Sequence, residues 1–383
     1  MSGIASIAGW VAPGFDRVHD AFAANFRRGG EDEECGAALA VYLDGRCVAD
    51  LWGGFTDAAR TRPWARDTLV NVWSASKGVA ALAVAILVDR GLASYEDAVA
   101  RYWPEFAANG KAGITIGQIL SHQSGVNGWK VPTTWDDLYD WPTATDRLAA
   151  QAPYWVPGTL ASYHAVTHGF LAGEVVRRIT GQDMGGFIRD AIAGPLGADF
   201  HVGLAAAQDW RVAELLGPPP ANAIPGGPGL AEIPRRAVTN PVADPKLPNT
   251  RAWRAAQIPA ANGQASAQGL ARIYGALAAG GELDGARVIS PAGIDRLRAK
   301  RHLGPDLMMG PRHWGAGVSS NVAPAFGPHE DTFGHTGLGG AFGCANLRRR
   351  VGIGYVMNRM GGQITANPRG ISLAAAVFAA LGD

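Results

Sequence analysis

The chain has 383 residues, 47% of them hydrophobic and 17% charged, enough apolar material for a large core, and this excludes a disordered chain. Its 34 Lys and Arg against 33 Asp and Glu leave a formal net charge of +1, without the basic excess of a nucleic-acid binder. Length gives a prior of about two to three domains.

The short charge runs at 31–34 and 348–350 read as solvated surface. Cys35, Cys47 and Cys344 are too few and too widely spaced for a disulfide scaffold or a C-x-x-C zinc site. The longest apolar run, 79–88, is too short to span a bilayer, so no membrane contact is expected. Residues 1–15 lack a basic region followed by a long apolar stretch, which makes a cytoplasmic protein the expectation.

Apolar positions at helical spacing (Val18, Phe22, Phe26) predict a helix over 14–27. An alternating stretch at 38–42, then Asp44-Gly45, then 47–51 predicts a hairpin, because Asp-Gly supplies the two φ > 0 residues of a type I′ turn. The Ala-rich run 79–88 predicts a helix buried all round, closed by Gly91 as a C′ residue. Residues 114–200 break into helical patches separated by Gly and Pro, one of them over 164–179 with a stop at Gly181. Between 216 and 251, nine prolines forbid regular structure. A loop of that length either borders an active site or is a plain surface excursion. A helix follows over 267–279, then a turn at Leu283-Asp284-Gly285. Ser290-Pro291 is the N-cap and N1 pair of a short helix. Strands are expected within 332–358 and a last helix over 371–381. No period of 20–50 residues recurs, so solenoids and propellers are excluded. The expected fold class is α+β: one antiparallel sheet flanked by helices, built from 1–105 with 260–383, plus a mostly helical domain over 106–259.

The strongest chemical signal is Ser74-Ala75-Ser76-Lys77 at the start of the apolar helix. Residues three apart share a helix face, so Ser74 and Lys77 lie within hydrogen-bond reach. A serine hydroxyl becomes a nucleophile when a neighbour takes its proton, and burial lowers a lysine pKa far enough to do so. The helix N-terminus adds N–H groups suited to an oxyanion. S-x-x-K is also the nucleophile motif of class A β-lactamases and penicillin-binding proteins; its bland alternative is an N-cap serine and a surface lysine. No true G-x-S-x-G elbow exists, which disfavours an α/β-hydrolase. His122 reads as a structural turn histidine before a triad base. His164 and His168, four apart without an intervening H-E-x-x-H glutamate, read as packing and not as metal ligands, so no metal is expected. Gly337-Leu338-Gly339-Gly340 lies between strands, which disfavours dinucleotide binding.

Five stretches, in order, carry a resemblance: 36–55 (GAALAVYLDGRCVADLWGGF), 72–78 (VWSASKG), 114–126 (ITIGQILSHQSGV), 154–181 (YWVPGTLASYHAVTHGFLAGEVVRRITG) and 333–358 (FGHTGLGGAFGCANLRRRVGIGYVMN). The chain resembles the family VIII carboxylesterases, which belong with class C β-lactamases and DD-peptidases among the serine β-lactamase-like hydrolases. The resemblance implies a β-lactamase/transpeptidase-like fold and a short-chain carboxylic ester as substrate, with no cofactor. It implies Ser74 as the acylated nucleophile, Lys77 as its helical neighbour and Tyr163 as the tyrosine of Y-x-N, and leaves open whether Tyr163 or Lys77 is the base. It implies the backbone N–H groups of Ser74 and Leu338 as the oxyanion hole, and His335-Thr336-Gly337 in the place of K-T-G. Ala165 replaces the Asn of Y-x-N and His335 the Lys of K-T-G, changes that suit a neutral ester better than a β-lactam or peptide. Tyr154, Trp155 and Trp129 are either an apolar acyl wall or packing of the helical domain. The alternatives are a β-lactamase or DD-peptidase, an acyltransferase, and a non-catalytic binding protein on the same scaffold.

Overall fold

Asp44 and Gly45 take φ values of 50° and 75°, the left-handed pair a type I′ turn requires, and join β2 (Gly36–Leu43) to β3 (Arg46–Gly54). The computed structural model that shows this describes residues 6–217, 231–242, 244–321, 324–363 and 367–383. The readings over 1–15 and 216–251 therefore fall in part, at 1–5, 218–230 and 243, outside the described residues.

The hairpin belongs to a nine-stranded antiparallel sheet. Its first edge is β1 (Ile7–Val11), paired with β3. The other strands are β4 (His302–Asp306), β5 (Gly310–Trp314), β6 (Ser319–Ser320), β7 (Phe333–Thr336), β8 (Phe342–Asn346) and β9 (Val351–Met357). The order across the sheet is β1-β3-β2-β9-β8-β7-β6-β5-β4. Sequence patterning misses β1 and β4–β6. These strands are short or lie at the edges, and Pro305 and Pro311, opposite each other in the β4–β5 hairpin, break the alternation. An edge tolerates them because no central ladder bond is lost.

Five helices frame the site: α1 (Asp16–Asn25), α2 (Ser76–Asp89), α3 (Thr167–Thr180), α4 (Ala267–Ala278) and α5 (Pro368–Ala380). Helix α4 lies on β2, β8 and β9, while α1 and α5 pack together on the opposite side, where the Glu34 carboxylate accepts from both Arg369 and Tyr355. A Cβ on Gly352 would come within 2.3 Å of the Gly275 nitrogen, so glycine there lets α4 settle directly on the strand. Helix α2 is buried from Ser76 to Leu87, runs against α3 and the helix Pro291–Arg298, and ends at Gly91 with φ 72°. No helix among the described residues is long and apolar enough to cross a membrane.

Three local expectations need correction. Helix α3 starts at Thr167, not 164, because the N–H groups of residues 162–164 bond elsewhere: Ser162 and His164 to the His122 carbonyl and Nδ1, Tyr163 to Asp306. The Pro-rich stretch does contain a helix, Glu232–Thr239; Pro234 sits in its first turn, where an N–H has no helical acceptor anyway. Glu34 is not solvated: it is fully buried and paired with Arg369 at 2.8 Å.

Candidate active site

Chain direction reverses sharply between the short strand Val70–Asn71 and α2. Trp73 adopts φ 46°, an unusual value for a bulky residue, and Ser74 follows within the 3₁₀ turn Trp73–Ala75. A polar network holds this turn. Asn71 Oδ1 accepts from the Trp253 indole at 2.9 Å and from Gln264 Nε2 at 3.0 Å, and Asn71 Nδ2 donates to the Ala261 carbonyl at 3.2 Å. The Ser76 hydroxyl donates to the Trp73 carbonyl at 2.5 Å and accepts from the Gly263 N–H at 3.0 Å. Both hydrogen-bonding directions of Ser76 are therefore occupied within the fold. Ser76→Ala should lower stability by about 1–3 kcal/mol, since it leaves the Gly263 N–H buried and unpaired, while activity persists; denaturant unfolding alongside turnover checks both halves.

Ser74 is partly exposed, and Lys77, one turn on, is 0% exposed. Lys77 Nζ lies 3.0 Å from Ser74 Oγ, 2.7 Å from the Ala165 carbonyl and 3.0 Å from the Ala260 carbonyl. No carboxylate stands within ion-pair distance of it among the described residues. Burial without a counter-charge holds the Lys77 pKa well below its ordinary value of 10.5. A neutral amine has two N–H bonds and one lone pair. In that form the two carbonyls would take the former and leave the lone pair for the Ser74 hydroxyl.

Tyr163 arrives from the far side on the segment before α3, with its ring centroid 4.7 Å from Lys77 Nζ. Burial raises its pKa above the ordinary 10, and the side-chain hydrogen bond with Ser74 only partly offsets that. The phenol stays protonated at neutral pH. Burial acts on the two groups in opposite senses, lowering the Lys77 pKa and raising that of Tyr163, and so disfavours the charged form of each.

His335 is buried on β7, its ring 6.1 Å from that of Tyr163. Its Nδ1–H donates to the Thr336 carbonyl at 2.7 Å. Burial, with Lys77 nearby, lowers its pKa to about 3. The position is a neutral imidazole throughout the physiological range, not a pH-dependent cation. A Cβ on Gly337 would stand 2.1 Å from the Val72 carbonyl oxygen, so glycine lets the end of β7 close on the turn that carries Ser74. Leu338 N–H has no acceptor within the chain among the described residues. The Ser74 N–H, in the first turn of its helix, has no helical acceptor either. Two N–H groups are thereby available to a developing oxyanion.

His122, His164 and His168 are also fully buried here and held neutral by desolvation. His122 takes φ 64° and packs on Tyr163 and Trp314 at 4.8 and 4.4 Å. His164 is fixed between Ser124 Oγ (2.7 Å) and the Ser162 carbonyl (2.8 Å). His164 and His168 in turn pack on His122, at 5.4 and 5.2 Å.

The aromatic trio makes contacts of its own within the fold. The Trp129 indole packs on Phe170 and donates to the Ala144 carbonyl at 3.0 Å, which is the packing alternative. Tyr154 bonds the Trp129 carbonyl at 3.0 Å, with Lys130 and Arg236 over its ring. Trp155 meets His164 edge-on at 6.1 Å. Residues that sequence reasoning missed are Trp314, stacked on Tyr163 at 5.8 Å, Asp306, which binds the Tyr163 N–H at 3.1 Å, and the Ala165 and Ala260 carbonyls. Backbone carbonyls leave no residue-type signal, and Asp306 lies 143 positions from its partner.

A family model described as beta-lactamase matches residues 22–376. The chain is 39% identical over 378 residues to "Esterase/beta-lactamase LipL" of Mycobacterium tuberculosis, covering 92% of this chain and 83% of that protein. Among solved structures, a family VIII carboxylesterase superposes with a TM-score of 0.92 at 44% identity, covering 98% of this chain and 100% of that one. A penicillin-binding protein homolog from Caulobacter crescentus superposes with a TM-score of 0.91 at 41% identity, over 98% and 100% of the two chains.

Proposed function

The chain belongs to the beta-lactamase family, and on that premise we propose that it is a serine carboxylesterase acting on small carboxylic esters through an acyl-enzyme on Ser74. One observation carries the mechanism: the buried Lys77 amine has two of its directions on fixed carbonyls and the third on Ser74 Oγ at 3.0 Å. That arrangement supports Lys77 as the base. As Ser74 Oγ bonds to the ester carbonyl carbon, its proton passes to Lys77 Nζ. The carbonyl oxygen becomes the oxyanion, and the N–H groups of Ser74 and Leu338 receive it. Tyr163, kept as a phenol, has its ring 4.7 Å from Lys77 Nζ and a side-chain hydrogen bond with Ser74, which supports it as the proton donor to the departing alkoxide. It gives that oxygen its proton and regains one from Lys77, so the alcohol leaves neutral and the acyl group stays on Ser74. A water then gives one proton to the same pair as its oxygen bonds to the acyl carbon, and the pair returns that proton to Ser74 Oγ as the acyl–oxygen bond breaks, which frees the acid and Ser74.

The neutral His335 favours an ester over a β-lactam or a peptide. Those substrates present a carboxylate, and a charge-assisted bond to it is worth about 1.5–3 kcal/mol, about 10- to 100-fold in rate. Turnover of p-nitrophenyl acetate and butyrate should therefore exceed that of a chromogenic cephalosporin by at least that factor in kcat/KM. A cephalosporin rate equal to the ester rate would shift the reading to a β-lactamase, which the names of some relatives favour. Free Cys35, Cys47 and Cys344 support a reducing, cytoplasmic location.

A further inference from the structure

Tyr163 is fixed by a junction that the chemistry above does not use. Asp306, the last residue of β4, is 2% exposed. Its Oδ1 accepts from the backbone N–H groups of Tyr163 (3.1 Å), Met308 (2.8 Å) and Met309 (3.0 Å), and its Oδ2 accepts from the Trp314 indole (3.1 Å). No ion pair ties Asp306 down among the described residues; the N–H donors alone satisfy it. Those donors come from three places: the segment that carries Tyr163, the tip of the β4–β5 hairpin, and the ring that stacks on both Tyr163 and His335, at 5.8 and 6.1 Å. The backbone repeats the link, with Leu307 N–H donating to the Ala161 carbonyl at 2.9 Å. Met308 and Met309, partly buried, pack against the Tyr163–Trp314 cluster and give its open side an apolar, adaptable flank.

We infer that Asp306 is a positioning residue whose buried carboxylate sets the Tyr163 phenol and the Met308–Met309 turn as one unit, so that it governs both turnover and the fit of the acyl chain. The inference rests on the esterase reading. An error of about 1 Å in the placement of a catalytic group costs about 10²-fold. Asp306→Ala, which removes all four acceptor contacts, should lower kcat on p-nitrophenyl acetate by about 10²-fold and weaken the discrimination between butyrate and acetate. Asp306→Asn keeps an oxygen for the three backbone donors but puts an NH₂ where the Trp314 indole needs an acceptor. Its kcat should fall by about 10-fold, midway to the alanine variant. Rates are expressed per active site, titrated with a fluorophosphonate and read by intact mass, so that loss of folded protein alone does not move them.

Either variant, folded and labelled, with wild-type kcat and wild-type butyrate-to-acetate ratio overturns the inference, as does an asparagine variant as poor as the alanine one. If Asp306→Ala does not fold, Asp306→Asn carries the test. Wild-type protein that neither labels nor turns over esters would instead bring down the esterase reading, so the two failures are distinguishable.

Discussion

Ser74→Ala is expected to lower p-nitrophenyl acetate turnover by about 10⁴-fold or more, to the level of the uncatalysed background. The substitution removes one oxygen and leaves the rest of the site in place. Lys77 keeps its two carbonyl partners, and the 71–73 turn keeps its Asn71 and Ser76 bonds. Loss of rate in a folded variant then reports on the nucleophile and not on the scaffold. Intact mass should show a fluorophosphonate adduct on the wild type and none on the variant, which separates an acyl-enzyme from an inert protein that keeps the same architecture. Substantial residual turnover in Ser74→Ala would end the proposal, because Ser76, the other hydroxyl in the motif, is fully buried and engaged.

The second large effect concerns Lys77 and the pH profile. Lys77→Met should lower kcat/KM by about 10³-fold, within the range for loss of a positioned base. The sign of the pH dependence follows from burial. Lys77 works as the free amine, and burial holds its pKa well below 10.5, so activity rises as pH climbs through that lowered value and then levels off. Tyr163 is displaced the other way, above 10, so no decline from its ionisation is expected below about pH 10. His164 and His335 are both held at about 3, and His122 and His168 are pushed down as well, so none of these imidazoles adds a limb between pH 5 and 8. The rising limb should disappear from the residual activity of Lys77→Met. Its survival there would assign it to a different group and remove Lys77 from the role of base.

Several parts of this molecule are legible locally. The Asp44-Gly45 turn and the closing Gly91 need left-handed backbone angles that few residue types accept, and the Ser290-Pro291 cap needs a side chain that accepts from the Gly293 N–H, so a short stretch of sequence specifies each. The apolar run announces α2, and the spacing of Ser74 and Lys77 puts the pair on one side of the 3₁₀ turn and helix that open it. Other parts rest on long-range pairing. Strands β4–β6 have no clean alternation, since an edge hairpin with Pro305 opposite Pro311 buries little on either face. Glu34 reads as a surface charge until Arg369, 335 positions away, closes on it.

Local sequence was enough for the S-x-x-K pair, for strands within 332–358, and for the α+β order of elements, because helical spacing, turn chemistry and hydrophobic periodicity act over a few residues. Tertiary structure decided the protonation states. Burial holds the Lys77 pKa well below its ordinary value, and the partners that meet the amine there are the Ala165 and Ala260 carbonyls, from distant segments, with no carboxylate within ion-pair distance among the described residues. Tyr163 keeps its proton under the same burial, and its backbone N–H is held by Asp306 from the edge strand β4. Desolvation depends on everything that surrounds a group in space, and neighbours along the chain supply only a small part of that.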